Sequence, residues 1–270
     1  MANIPTGAAQ YLAKHGSESI ACSQYALAKL GVDKANCSLK IDDYLIMTIP
    51  FQLGFKRSLF LASLTNQELA FFKRYVNGTI GLSIGFFQRS RPNPMTFFIR
   101  CNLSTLGQMK GRDNVGLLVV DYKKTPDDLA IVLGEFLEGQ ERIRHSYEDY
   151  SDSLIKISPE IAKSIGYNNY ATITEPAAKE KRVQIYRIST KTLEQLEAEN
   201  APLRAPGSPV AYQLYFKQYR ISIAGTVVSS EKMPQGLIRT VASLAFSPEL
   251  VEIIDNYWLN SHNQSLERSS

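Results

Sequence analysis

Cysteine, histidine and tryptophan are scarce in this 270-residue chain, at three, three and one. Cys22, Cys37 and Cys101 are odd in number and widely spaced, which argues against a disulfide framework and reads as reduced thiols. His15, His145 and His262 stand far from one another and from every cysteine, so zinc-type ligand spacing is absent and no metal site is expected. No apolar run approaches the roughly 18 to 20 residues of a membrane-spanning helix; the longest centres on Thr79 to Phe87. Met1 to Pro5 lacks the basic and then apolar stretches of a secretory signal, so a cytoplasmic location is expected. No P-loop, dinucleotide glycine motif or HExxH occurs. Gly81-Leu82-Ser83-Ile84-Gly85 has the spelling of a nucleophile elbow, and Asp127 followed by His145 has the hydrolase chain order. The elbow, however, needs a strand turning sharply into a helix. Here alternation continues through Phe86-Phe87, so the motif reads as a glycine-relieved strand. Neither enzymatic activity nor a required cofactor is expected.

What is present is an ordinary globular balance, 44% hydrophobic and 21% charged, with enough apolar material for sizeable cores. At about 150 residues per domain the length favours two domains. Thirty basic against 26 acidic residues leave a net charge of +4. This scattered surplus permits an anionic partner without requiring one.

Along the chain, Ser19 to Leu30 reads as a helix stopped by Gly31. Strand signals follow at Leu39 to Ile41, Tyr44 to Phe51 and Ser58 to Ala62. Thr65-Asn66-Gln67-Glu68 is a capping box opening a helix that ends at Asn77-Gly78. Strands then read over Thr79 to Phe87, Met95 to Leu103 and Val115 to Tyr122. Thr125-Pro126-Asp127-Asp128 starts a helix whose apolar face is Leu129, Val132, Leu133, Phe136 and Leu137. Gly139 to Ser153 is polar with no apolar period and reads as a connector. Beyond it come a strand at Leu154 to Ile157, a short helix from Ser158-Pro159-Glu160 to Gly166, a strand at Lys181 to Ser189 and a helical stretch at Leu193 to Asn200. A strand at Val210 to Phe216, a pair at Tyr219 to Val228 and Leu237 to Phe246, and a helix from Ser247-Pro248-Glu249 complete the chain. The divisions expected are a helical extension 1–36, a barrel 37–138, the connector 139–153, a second barrel 154–262 and a flexible tail 263–270.

The two halves end alike. At a shift of 122 residues Ile131 meets Ile253, Val132 meets Ile254, Phe136 meets Trp258 and Leu137 meets Leu259. In the same comparison Lys181 to Ser189 and Leu193 to Asn200 stand against the strand ending near Ser63 and the helix after Thr65. Two copies of one unit explain this best. The fold class is mainly β with α: two small antiparallel β-barrels, each with a C-terminal helix.

A barrel strand leading into a Ser/Thr-centred turn, then a hairpin, then a Pro-acid helix resembles the bacterial PilZ domain, the receptor module for cyclic di-GMP. The second half, roughly Glu141 to Asn260, looks like PilZ, with Ile221 to Val228 among the segments that carry the likeness. The first half looks like the PilZ-related domain that precedes it in two-domain members. The resemblance implies two binding motifs, RxxxR on the loop entering the barrel and D/N-x-S-x-x-G on its wall. Arginine forks suit phosphates and guanine faces, an acid accepts guanine N–H bonds, and glycine lets the ligand approach the backbone.

In Arg142-Ile143-Arg144-His145-Ser146-Tyr147-Glu148 the first arginine is Arg144, while Glu148 stands at the second. In Arg187-Ile188-Ser189-Thr190-Lys191-Thr192 the serine is kept, but Arg187 replaces the acid and Thr192 the glycine. The resemblance therefore implies a PilZ-type effector acting by protein contact in cyclic di-GMP signalling, with nucleotide binding weakened or lost. Arg142, Arg144, Arg187, Lys181 and Arg182 could alternatively form a basic seam that still holds an anionic ligand. A different alternative is a barrel that binds single-stranded nucleic acid through Arg89, Arg91, Arg100, Lys110, Arg112, Lys123 and Lys124, with Phe86, Phe87, Phe97, Phe98 and Tyr122.

Overall fold

The computed structural model describes residues 7–87, 94–176, 179–217 and 220–267, with side chains as far as Ser261. The chain forms two compact units, Met1–Gly139 and Gln140–Ser270.

The first unit opens with α1 (Gly7–His15), β1 (Ser19–Ala21) and α2 (Gln24–Leu30). The single helix read over Ser19 to Leu30 is thus divided. Ser19, Ile20 and Ala21 pair with Gly54, Leu53 and Gln52, and the helix starts only after Ser23, whose hydroxyl accepts the Ala26 N–H at 3.1 Å. Gly31, at φ +70°, closes it, a conformation that glycine adopts without a Cβ penalty. Next come β2 (Val32–Ile41), β3 (Tyr44–Met47), β4 (Ile49–Gly54), β5 (Arg57–Ser63) and α3 (Asn66–Phe72), then a 3₁₀ turn at Lys73–Tyr75. The capping box is present: Thr65 Oγ1 accepts from the Glu68 N–H, and the Glu68 carboxylate accepts from the Thr65 N–H. The unit finishes with β6 (Thr79–Phe86), β7 (Met95–Gln108), β8 (Val115–Tyr122) and α4 (Asp127–Asp149), the last of which runs past the boundary between the units.

The sheet is antiparallel in the order β1-β4-β5-β8-β7-β6-β2-β3. β3 and β4 are joined through the single residue Thr48. The first pairs with β2 and the second with β5, so the bent strand curls the sheet back toward closure. Inward positions such as Leu39, Leu53, Phe60, Leu82, Ile84, Leu103, Leu118 and Val120 alternate along the strands and form the core with Leu129 and Leu133 of α4. Ser83 of the elbow-like motif sits inside β6, opposite Phe98. At Gly85 of the same motif a Cβ would crowd the Asn36 Cβ at 3.0 Å. Cys37 and Cys101 are buried, and burial raises all three thiol pKa values, to about 12 for Cys22 and Cys101.

The second unit contains β9 (Ile155–Lys156), α5 (Pro159–Ile165), β10 (Tyr167–Thr174), β11 (Lys181–Ile188) and β12 (Thr192–Ala198). After these come β13 (Pro209–Phe216), β14 (Arg220–Lys232), β15 (Leu237–Leu244) and α6 (Pro248–Glu267). Six strands in the order β10-β13-β14-β15-β12-β11 close through a β10–β11 pairing, and β9 adds outside β11. The helix read over Leu193 to Asn200 is a strand. Leu193, Glu194 and Gln195 are all buried, and β12 is paired on both sides, to β11 and β15, so ladder bonds on both edges override helix propensity. Leu250, Ile253 and Ile254 of α6 close this core.

The units repeat one topology. β2, the bent β3–β4 strand, β5, β6, β7, β8 and α4 correspond in chain order and in sheet order to β10, β11, β12, β13, β14, β15 and α6. β1 and β9 attach at matching places, to β4 and β11. The duplication therefore holds, but β5 matches β12 and not β11. The match drawn from sequence was one strand early at that point, and α3 has no partner in the second copy.

Candidate functional site

The turn from β11 to β12 is built by Ser189. Its N–H donates to the Thr192 carbonyl at 2.8 Å, while its hydroxyl oxygen accepts from the Lys191 and Thr192 N–H groups at 3.3 and 3.0 Å. The same hydroxyl donates to the Ser151 carbonyl at 2.8 Å. Thr190, also fully buried, donates to the Tyr147 carbonyl at 2.7 Å. Two hydroxyls on adjacent residues thus fix the chain just before β9 against the barrel. Lys191 completes the clamp. Its ammonium pairs with the Glu148 carboxylate and lies 4.8 Å from the centre of the Tyr147 ring. The Glu148 hydrogen bond is the main cause of its raised pKa.

The segment clamped there is the end of α4. Residues 139–149, read as a polar connector, continue that helix. Glu141, Arg142, Arg144 and Glu148 are adequate helix formers, and a backbone ladder needs no apolar period to continue. Tyr147 packs edge-on against Phe246 at 5.1 Å, and Tyr150 stacks on Trp258 at 6.2 Å. Ser146 donates to Asp255 at 3.1 Å. Arg142 and Arg144 are exposed, each next to a half-buried neighbour, Glu141 and Ile143.

On the barrel wall, Arg187 donates through Nε to the Glu194 carboxylate at 2.8 Å, and Glu194 is largely buried. The Arg187 guanidinium also lies over the Tyr186 ring at 5.3 Å. Lys181 and Arg182 lie five to six residues back along β11, some 17 to 20 Å at strand rise, and Arg182 stacks over Tyr170. The five basic residues of the proposed seam are therefore not gathered at the turn.

Comparison with known proteins assigns residues 7–140 to the PilZN3 domain. The chain carries an N-terminal PilZN3 domain. Solved structures similar to it include Borreliella burgdorferi PlzA in complex with c-di-GMP, at 14% identity over 93% of this chain and 97% of that one, TM-score 0.45. YcgR in complex with c-di-GMP from Escherichia coli has 11% identity over 94% and 97%, TM-score 0.30. The K. pneumonia MrkH–c-di-GMP complex has 8% over 93% and 98%, TM-score 0.34. No curated protein sequence matches.

With the PilZ signature laid on this geometry, Glu148 and the Ser189–Thr192 turn are brought together, whereas Arg187 is engaged by Glu194, its partner across the β11–β12 pair. Lys191, the partner of Glu148, was missed from sequence because the two are 43 residues apart. Of the aromatics named for nucleic-acid binding, Phe86 and Phe97 are core residues. The Tyr122 hydroxyl shares a 2.6 Å hydrogen bond with Ser58. Phe87 and Phe98 are exposed, and Arg89 and Arg91 lie outside the described residues. Among the described residues no group of three or more histidine, cysteine or acidic side chains could hold a metal ion. No helix described is long and apolar enough to cross a membrane.

Proposed function

We propose that this protein is a non-enzymatic PilZ-type effector in cyclic di-GMP signalling that works through protein contacts, its direct grip on the nucleotide weakened by substitutions at the binding signature. The observation that carries the reading is the Glu148–Lys191 ion pair across the Ser189 turn. An arginine at position 148 would offer a guanidinium fork to phosphate. The carboxylate repels phosphate and holds Lys191 in place instead. Arg187 has no acceptor atoms to offer guanine N–H groups, and its Nε–H donates to Glu194. Thr192 carries a branched side chain where the signature has glycine. A charge-assisted hydrogen bond contributes about 1.5 to 3 kcal/mol, so two lost anchors weaken binding by roughly a hundredfold to several ten-thousandfold.

Isothermal titration with cyclic di-GMP tests this. Wild-type protein is expected to bind more weakly than about 1 μM, or −8.2 kcal/mol, and tighter binding would overturn the weakened-site reading. Glu148→Arg with Thr192→Gly restores one phosphate fork and the backbone approach. That variant should bind at least about tenfold more tightly, since one restored charged contact is worth that much at the low end of its range. A folded variant with no gain would show that these positions do not line a vestigial nucleotide site.

A further inference from the structure

In the first unit the bent strand β3–β4 places Leu45, Met47, Ile49 and Phe51 on its outer side, exposed at 67%, 53%, 49% and 42%. The intervening Ile46, Thr48 and Pro50 are buried, so the alternation is that of a barrel wall with its polarity reversed outside. The apolar surface continues across the sheet. Ile49 stands opposite Leu61, Leu61 opposite Leu117, Leu59 opposite Val119 and Ser63 opposite Val115. All five of those β5 and β8 aliphatics, Leu59, Leu61, Val115, Leu117 and Val119, are only half-buried. None of the nine outward residues is charged. Elsewhere the outer wall is mixed: Thr79, Gly81 and Ser83 face out from β6, and Phe98, Arg100 and Thr105 from β7.

Natural sheets protect outer and edge positions with lysine, proline or covering elements. β3 ends its sheet and reads Tyr-Leu-Ile-Met without a charge. From the stated exposures the face offers on the order of 600 Å² of apolar area, at the upper end of what a typical monomer leaves in one patch.

We infer that this face is a homodimer interface, in which the β3–β4–β5–β8 wall of one chain packs against the same wall of a second copy. Two properties select a second copy over a partner of different chemistry. The first is area. Two such faces remove on the order of 1,200 Å² together, which reaches the lower bound for a specific stable interface. The second is charge balance. An isologous contact brings each residue near its own symmetry mate or neighbours, so a face dense in one sign of charge would repel itself. The nine outward residues bear none, and the charges at the margin have both signs: Lys40 stands opposite Leu45 across the β2–β3 pair, and Arg57 pairs with Asp121 at 2.5 Å. Neither property depends on nucleotide binding by the second unit.

The test is sedimentation velocity on the full chain without nucleotide, from about 1 to 100 μM, the range in which a modest interface responds to concentration. Wild-type protein is expected to move toward twice the 30.2 kDa chain mass, and a monomer throughout would overturn the inference. Met47→Glu adds two like charges to the dimer and should raise the dissociation constant at least about tenfold. Val228→Glu makes the same kind of change at a residue 55% exposed on β14 of the second unit. It should leave association unchanged. Equal effects of the two substitutions, or loss confined to Val228→Glu, would place any dimer contact elsewhere. If Met47→Glu fails to fold, Leu45→Ser at the more exposed neighbouring site decides the same question, and the wild-type mass stands as an independent test.

Discussion

Arg187 shows how a residue that stands in place of a ligand anchor can be locally necessary. Its guanidinium is the described partner of Glu194, a carboxylate only 7% exposed, and removing one member of a largely buried pair leaves the other uncompensated. Arg187→Asp, the substitution that the PilZ signature suggests for recovering a guanine acceptor, would set two carboxylates side by side. It is expected to destabilise the second unit by about 3 kcal/mol, read as a lowered denaturant midpoint with unchanged slope. Arg187→Asp with Glu194→Arg restores opposite charges and should recover most of that loss. If the single and double variants are equally destabilised, the ion pair is not the cause. Ser189 was legible from its place in a Ser-Thr turn at the end of a strand signal. Lys191 and Glu194 were not, because their roles follow from a strand register and from a segment about forty residues earlier, neither of which has a local sequence signal.

Among the elements, helices with a hydroxyl cap were read nearly in place. Thr65 and Ser158 start α3 and α5, and Gly166 at φ +71° ends α5, because capping chemistry is contained within a few neighbouring residues. Segments decided by pairing were read less well. Ser19–Ala21 became β1 and Thr192–Ala198 became β12, since both are held by distant strands. Gly134 illustrates the same dependence inside a helix. A solvent-exposed glycine in mid-helix is improved by alanine by about 1 kcal/mol. In α4, however, a Cβ at position 134 would lie 2.1 Å from Tyr11 Cγ, where α1 packs and the Tyr11 hydroxyl donates to Glu138 at 3.3 Å. Gly134→Ala should therefore destabilise the first unit by about 1 to 3 kcal/mol through overpacking. Combining it with Tyr11→Ala should bring less additional loss than the two single changes added, which a double-mutant cycle of thermal unfolding measures. Strict additivity would show that the contact is relieved at no cost.

For the whole chain, duplication was visible because α4 and α6 share cap chemistry and an apolar face at one fixed shift, while the strands between them vary in length and hid the true correspondence. Each unit has its own continuous core, but the second core begins before residue 154. Tyr150 packs against it, Tyr147 meets Phe246, and the buried Ser189 and Thr190 hydroxyls donate to the carbonyls of residues 151 and 147. A fragment spanning 145–270 keeps these contacts, whereas one spanning 154–270 removes two aromatic side chains and strips two buried hydroxyls of their acceptors. An unsatisfied buried hydroxyl costs about 1 to 3 kcal/mol, and each lost aromatic contact adds about 0.5 to 1.5 kcal/mol beyond its area. The shorter fragment should therefore be less stable by at least about 3 kcal/mol, or fail to fold at all, while the longer one unfolds cooperatively in urea. Equal midpoints and slopes for the two fragments would mean that residues 145–153 are a connector after all, and that the folded second unit begins at the strand following them.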